Sequence, residues 1–176
     1  MNFDEYQRLA ARTAPMDVPK PIQQATFALG LVCESTEILE LFLDYQDGAP
    51  EPGSLIKELG DVLWYTAGLC TLFDLSMAQI CVPEVDRAMY APAHEVRVLA
   101  VQAGSVSDYL KKVVGHGHDI DPSKLAGGLR LVYHSLTSLC SSFDLDLGDV
   151  ATANIDKLKA RYPEGFSSEA SINRTA

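Results

Sequence analysis

The chain has 176 residues, 47% of them apolar, so it can bury a core of ordinary size and is not a disordered polymer. Fourteen Lys and Arg against 24 Asp and Glu leave a net charge of −10, which repels phosphate backbones and anionic membranes and argues against nucleic acid as a partner. A small phosphorylated ligand remains open, provided that metal cations offset the repulsion.

Strand signals are nearly absent, because apolar residues recur at spacings of three and four instead of alternating. Phe3, Tyr6, Leu9 and Ala10 form the stripe of a short first helix that Pro15 stops. A second helix is predicted over about 22–45, with Ile22, Ala25, Leu29, Val32, Thr36, Leu39 and Leu43 at helical spacing. The run Asp47-Gly48-Ala49-Pro50-Glu51-Pro52-Gly53 is a strong break, and Ser54 is the expected N-cap of a third helix ending near Phe73. Ser76 with Gln79 reads as a capping box that opens a fourth helix, with a kink at Pro83. A fifth helix covers 94–114, Gly115-His116-Gly117-His118 is a loop, and a sixth helix covers 123–143. Asp146 opens a seventh that runs to about Arg161, before Pro163. The tail 167–176 is small and polar, either disordered or folded over a ligand.

The uncharged apolar runs 62–73 and 131–143 span 12 and 13 residues, short of the roughly 20 that a membrane helix needs, so no membrane association is expected. The N-terminal stretch MNFDEYQRLAARTA lacks a hydrophobic signal region, and the expected location is cytoplasmic. Cys33, Cys70, Cys81 and Cys140 form no CxxC pair and sit in apolar segments, as free buried thiols would.

Residues 52–86 and 122–156 align without a gap at ten identities in 35 positions, among them Pro52/Pro122, Cys70/Cys140, Phe73/Phe143, Asp74/Asp144 and Leu75/Leu145. The preceding helices align with a two-residue loop difference, Leu31 against Leu99 and Glu34 against Gln102. This reads as an internal duplication. The expected fold is an all-α helical bundle built from two tandem helix-hairpin repeats with pseudo-twofold symmetry.

The informative residues are two acidic pairs, Glu34-Ser35-Thr36-Glu37 and Glu58-Leu59-Gly60-Asp61. Residues three apart share a helix face, so each pair is a two-carboxylate claw. The residues between Glu37 and Glu58 finish one helix, turn at 50–53 and begin an antiparallel neighbour, which lets the claws face each other. Four converging like charges are costly without compensation. Oxygen-only ligands suit a hard cation, Mg²⁺ or Mn²⁺. No His lies near either claw, against a Glu-x-x-His di-iron site and against zinc. A solvated acidic face is the competing reading; the apolar neighbours Leu31-Val32-Cys33 and Val62-Leu63-Trp64 speak against it. In the aligned second half the four acids become Gln102, Ser105, Gly128 and Leu131, so the first half reads as the metal-bearing one and the second as scaffold.

At these residues the chain resembles the MazG-like nucleoside triphosphate pyrophosphohydrolases of the all-α NTP pyrophosphatase superfamily. The family signature is ExxE, a spacer and ExxD, set in a string like KELGDVLWY, which stands here at 57–65. The opening FDEYQRLAARTA resembles the start of short family members, and NIDKLKARYPEGF at 154–166 resembles their nucleotide-contacting C-terminal segment. Lys111-Lys112 and His116-Gly117-His118 resemble the family's first loop but fall in the half without acids. Short members carry one copy and assemble as oligomers, whereas this chain looks like two copies fused, one of them degenerate.

The resemblance implies a single all-α domain over 1–176, with repeat 1 at about 22–91 holding the metal site and repeat 2 at about 94–166 without acidic ligands. It implies hydrolysis of a nucleoside triphosphate to the monophosphate and pyrophosphate by water attacking the α-phosphorus, in nucleotide-pool housecleaning. It also implies stacking of the base on Tyr65, with Trp64 next in line. The expected assemblies are a homodimer, or a monomer whose two repeats mimic one.

The residues suit this chemistry on their own terms. Glu34, Glu37, Glu58 and Asp61 are the expected metal ligands, and Glu34 or Glu37 also orients or deprotonates the water. Lys157 and Arg161 lie four apart in a locally basic segment and are expected to hold phosphate oxygens, with Asn154 on the same face as a hydrogen-bonding partner. A cationic last turn answering the helix dipole is the competing reading. A dUTPase- or dCTPase-type hydrolase, or a phosphoribosyl-ATP pyrophosphohydrolase, would use the same metal cage. A non-enzymatic nucleotide- or metal-binding helical module is the alternative from outside enzymology.

Overall fold

Each long helix starts where the sequence supplies a proline or a side-chain cap. In the computed structural model, which describes residues 1–15, 17–44, 50–82 and 90–173, the order is α1 (Phe3–Ala11), α2 (Lys20–Asp44), α3 (Pro52–Leu72), α4 (Met77–Ile80), α5 (Pro92–His116), α6 (Pro122–Ser142), α7 (Leu147–Arg161) and α8 (Ser168–Ile172). No strand occurs among the described residues. Proline stands in the first turn of α3, α5 and α6, where its missing N–H costs nothing. Asn2, Ser76, Asp121 and Asp146 cap α1, α4, α6 and α7 by accepting from backbone N–H groups of the first turn. The cap of α3 is Glu51, not Ser54: the Glu51 carboxylate accepts from the Ser54 N–H at 2.7 Å, so Ser54 lies inside the helix.

The helices end in a shared manner. After α3 and α6 the backbone turns left-handed at Asp74 (φ 55°) and Asp144 (φ 54°), a conformation that Asp tolerates better than most residues. The next N–H reaches back across the turn, Leu75 to the Cys70 carbonyl at 2.8 Å and Leu145 to the Cys140 carbonyl at 2.9 Å. Helices α2 and α5 are both 25 residues long, and α3 and α6 are both 21. α4 and α7 begin at aligned positions, but α4 is one turn where α7 has 15 residues. Asp47, Gly48, Ala49, Pro83 and Asp86 of the sequence reading lie outside the described residues.

The long helices form two hairpins, α2 with α3 and α5 with α6, joined along α2 and α5. Ser107 on α5 donates to the Ala28 carbonyl on α2 at 2.5 Å across that join. α1 and α7 pack over α3, so α3 is covered on several sides, and twelve of its residues are buried. No helix among the described residues is long and apolar enough to cross a membrane.

Two details differ from the sequence reading. The α2 stripe has the right period but is not the face turned inward: Ile22, Leu29 and Leu43 are 54%, 66% and 66% exposed, while Phe27, Leu31, Ser35 and Ile38, about one residue around the helix, fill the core. Of the cysteines, Cys70, Cys81 and Cys140 are buried as expected, but Cys33 is exposed, because it rides on that outward face.

The register of α2 against α3 is set by two glycines. A Cβ at Gly68 would overlap the Phe27 ring, and one at Gly30 would overlap the Tyr65 ring. Phe27 is buried and has nowhere to go, so Gly68→Ala is expected to lower stability by about 1–3 kcal/mol in denaturant unfolding. Tyr65 is only half-buried, so Gly30→Ala is expected to cost less and to rotate the ring instead, which tyrosine fluorescence or NMR reads.

Candidate metal centre

Going three or four residues at a time from those glycines brings the acids face to face, Glu34 and Glu37 on α2 and Glu58 and Asp61 on α3. Glu34, Glu37 and Glu58 each place a carboxylate oxygen within 4.8 Å of the others. Glu58 is buried; its Oε1 accepts from Lys57 Nζ at 2.6 Å, and its Oε2 has no hydrogen-bond partner. Among the described residues no other group of three or more His, Cys, Asp or Glu comes together in this way.

Crowding is visible in the proton affinities. Burial, then the charges of Asp61, Glu37 and Glu58, push the Glu34 carboxyl up to about 7, against a smaller opposing effect of Lys57. Glu37 is raised by burial and by Glu58, again opposed by Lys57. Burial works against the Lys57 ammonium, but its hydrogen bond to Glu58 and the surrounding acids outweigh that and hold it above its ordinary value.

Asp61 stands apart from the group of three. Its Oδ1 accepts from Lys157 Nζ and, at 3.1 Å, from Asn154 Nδ2. Asn154 Oδ1 in turn accepts from the Tyr6 hydroxyl at 2.8 Å. Tyr6 is wholly buried, and burial followed by the nearby Asp61 charge holds its phenol protonated well above the ordinary range. Gly60 makes this layer possible, since a Cβ there would press on the Asn154 side chain. α7 therefore packs directly behind the ExxD turn.

A cleft of about 300 Å³ opens beside the acids. Glu34 and Asp61 line it, with Arg161 and the aromatic residues Phe27, Trp64, Tyr65, Tyr162 and Phe166. Phe27, Trp64 and Tyr65 pack on one another with ring centroids 4.8–5.7 Å apart, and Tyr162 packs on Phe166 at 5.6 Å. Trp64 is fixed from outside α3 by its Nε1–H bond to Thr13 Oγ1 at 3.0 Å.

The predicted substrate residues thus separate. Arg161 and Tyr65 reach the cleft, whereas Lys157 is engaged with Asp61 and Asn154 is buried behind it. Glu37 and Glu58 sit beside the cleft and do not line it. Thr13, Thr26 and Phe27, to which sequence reasoning gave no role, also line the cleft. Tyr162 and Phe166, within the 154–166 segment that resembles a nucleotide-contacting one, line it too and flank a turn at Gly165, where φ is 104°. Ser171 reaches the cleft because part of the 167–176 tail forms α8.

In the second hairpin the aligned positions carry no acid: Gln102 and Gly128 are half-buried, Ser105 is exposed and Leu131 is 48% exposed. Lys111 and Lys112 both pair with Asp108, at 2.6 and 2.7 Å, and neither they nor His116 and His118 line the cleft.

The donor set could hold a hard divalent cation. It is all oxygen, three carboxylates already converge, and one buried oxygen among them lacks a partner. The chain matches no family model, no curated protein and no solved structure, so the resemblance to MazG-like enzymes stands on the residues themselves.

Glu34 binds its proton more tightly folded than unfolded, so its contribution to stability is greatest below the ordinary value of 4.5 and is lost as pH rises through about 7. Without divalent cations, the melting temperature should fall between about pH 5 and about pH 8, and Glu34→Gln should flatten that slope. Added Mg²⁺ should raise the melting temperature more at the upper end than at the lower, because protonated carboxyls do not compete for the ion. Thermal unfolding by circular dichroism checks both; a slope untouched by Glu34→Gln would contradict the account.

Proposed function

We propose that the chain hydrolyses a nucleoside triphosphate to the monophosphate and pyrophosphate, with Mg²⁺ or Mn²⁺ held by Glu34, Glu37, Glu58 and Asp61. The observation that carries this reading is the placement of three converging carboxylates at the edge of an aromatic-lined cleft that also contains Arg161. A divalent cation bound there would neutralise the triphosphate's charge, which a chain of net charge −10 otherwise repels.

The protein's own groups divide the remaining work. The Arg161 guanidinium is suited to phosphate oxygens. The faces of Tyr65, Trp64 and Phe166 offer a base surfaces to stack on. Lys157 and Asn154 hold the Asp61 carboxylate in place and do not meet the substrate directly. Glu34 lines the cleft and Glu37 does not, which favours Glu34 as the carboxylate that takes the proton from the attacking water. Water adds at the α-phosphorus, the bond from that phosphorus to the bridging oxygen breaks, and pyrophosphate leaves with that oxygen. The matched helix lengths and Phe-Asp-Leu stops support reading 94–166 as a degenerate second copy that keeps the frame without the acids.

Incubation with a panel of NTPs and dNTPs plus Mg²⁺ should release pyrophosphate from at least one of them. Glu58→Ala should reduce turnover by more than about 100-fold with helicity retained, since even groups behind a ligand cost roughly 10–100-fold. Arg161→Ala should raise KM more than it lowers kcat, and Leu131→Ala should change neither. Release of orthophosphate instead would refute attack at the α-phosphorus. Cation binding without turnover of any nucleotide would leave a binding module in place of an enzyme.

A further inference from the structure

The two oxygens of Glu58 are served unevenly. Oε1 accepts from Lys57 Nζ at 2.6 Å, and the buried Oε2 has no hydrogen-bond partner. The two side chains of this ion pair also differ, since Glu58 is 9% exposed and Lys57 is 52% exposed. The carboxylate is therefore fixed among the acids, and the ammonium reaches it from the water on a long, flexible stem. A hard cation drawn to Glu34, Glu37 and Glu58 needs the carboxylate that Lys57 holds. A half-exposed pair of this kind is weak enough to be given up.

The order of groups along the hairpin shows what else lies near the ammonium. On α3, Trp64 and Tyr65 follow Asp61, and Lys57 and Glu58 precede it. α2 matches this order in the opposite direction, with Phe27 at Gly68, Gly30 at Tyr65 and Glu37 beside Glu58. The cleft contains Trp64, Tyr65, Asp61 and Glu34 and ends before Glu37 and Glu58. A nucleotide stacked on the aromatic wall, with its α-phosphorus at Glu34 and Asp61, extends its outer phosphates toward Glu58, roughly 9 Å of helix beyond Trp64. Arg161 lines the cleft and Lys157 is engaged with Asp61, whereas Lys57 stands at Glu58, at the outer end.

We propose that Lys57 is a displaceable counter-ion, which holds Glu58 while no cation is bound and passes to the outer phosphates of the substrate once Glu58 turns to a cation. This rests on the triphosphate reading above and adds to it the side chain that grips the leaving pyrophosphate. The handover keeps the charge balanced at each stage: one ammonium offsets the acids when the site is empty and the departing pyrophosphate when it is full.

Calorimetry with Mg²⁺ alone should show Lys57→Met binding the ion about 3–10-fold more tightly than the unaltered chain, because a competing charge is gone. With Mg²⁺ saturating, the same variant should bind pyrophosphate at least about 10-fold more weakly, and Lys57→Arg should restore most of that affinity. Trace acetylation read by peptide mass should find Lys57 protected in the metal-free chain, reactive with Mg²⁺ and protected again with Mg²⁺ and pyrophosphate. The circular dichroism spectrum should not change, since the side chain is half-exposed. Unchanged or weaker Mg²⁺ binding by Lys57→Met, unchanged pyrophosphate binding, or acetylation of Lys57 indifferent to Mg²⁺ would each overturn the proposal. None of these measurements needs turnover, so the two readings can fail separately. Lys57-dependent pyrophosphate binding in a chain that hydrolyses no nucleotide would sink the enzymatic reading alone, and turnover with pyrophosphate binding indifferent to Lys57 would sink this one alone.

Discussion

The close approach of α2 to α3 is the constraint on which the site depends. Two aromatic rings sit over two glycines, Phe27 on Gly68 and Tyr65 on Gly30, and interiors packed at this density transmit small shifts. With that register, the ExxE and ExxD turns meet one helical turn further along each helix. A slip by one residue would rotate the acids out of the groove. The same contacts also shape the cleft, because Phe27 and Tyr65 are both part of its wall. Packing and site geometry are therefore set by the same four residues.

What the register brings together, electrostatics resists. Burial first, and then the neighbouring carboxylates, raise the proton affinity of Glu34 and Glu37, and a buried Glu58 oxygen stays unsatisfied, at a cost on the order of 1–3 kcal/mol. Lys57 and Lys157 compensate in part, one at Glu58 and one at Asp61. Tyr6, Asn154, Asp61 and Lys157 form one hydrogen-bonded chain in which α1 and α7 support α3 from behind. Asn154 and Lys157, which read from spacing as substrate contacts, both hydrogen-bond the Asp61 carboxylate. The spacing of Asn154, Lys157 and Arg161 shows that they share a face, but not that α7 turns the first two toward α3 and the last toward the cleft.

Most of the fold was legible because helix starts and stops are local. The Asp146 and Ser76 caps act within a few residues, and the ends of α2, α3, α5, α6 and α7 lie within two residues of those expected, whereas the fourth helix, expected to reach a kink at Pro83, stops at Ile80. The acid convergence was legible too, as two i,i+3 pairs at hairpin spacing. What was not legible depends on tertiary choice. α2 carries two apolar stripes side by side, and only packing decides that Phe27, Leu31 and Ile38 go inward while Leu29 and Leu43 stay out. Exposure of Cys33 follows from that choice. The aromatic wall was half-hidden for a similar reason: Phe27 lies in the core and also borders the cleft.

The two hairpins divide stability and chemistry between them. Where the first has Glu58, the second has Gly128, and the space is taken by Val106, to which a Cβ at that glycine would come within 2.8 Å. Where the first has Glu34 and Glu37, the second has Gln102 and Ser105, and among its described residues no group of three or more His, Cys, Asp or Glu comes together. The second hairpin therefore carries none of the like-charge cost, yet it packs along the whole join of α5 with α2. Marginal stability leaves a small domain little room to hold an uncompensated acidic cluster unless other parts of the core offset it. A hairpin of equal helix lengths with no acid at the four aligned positions packs against the helix that bears Glu34 and Glu37, so the packing that can offset the cluster lies beside it.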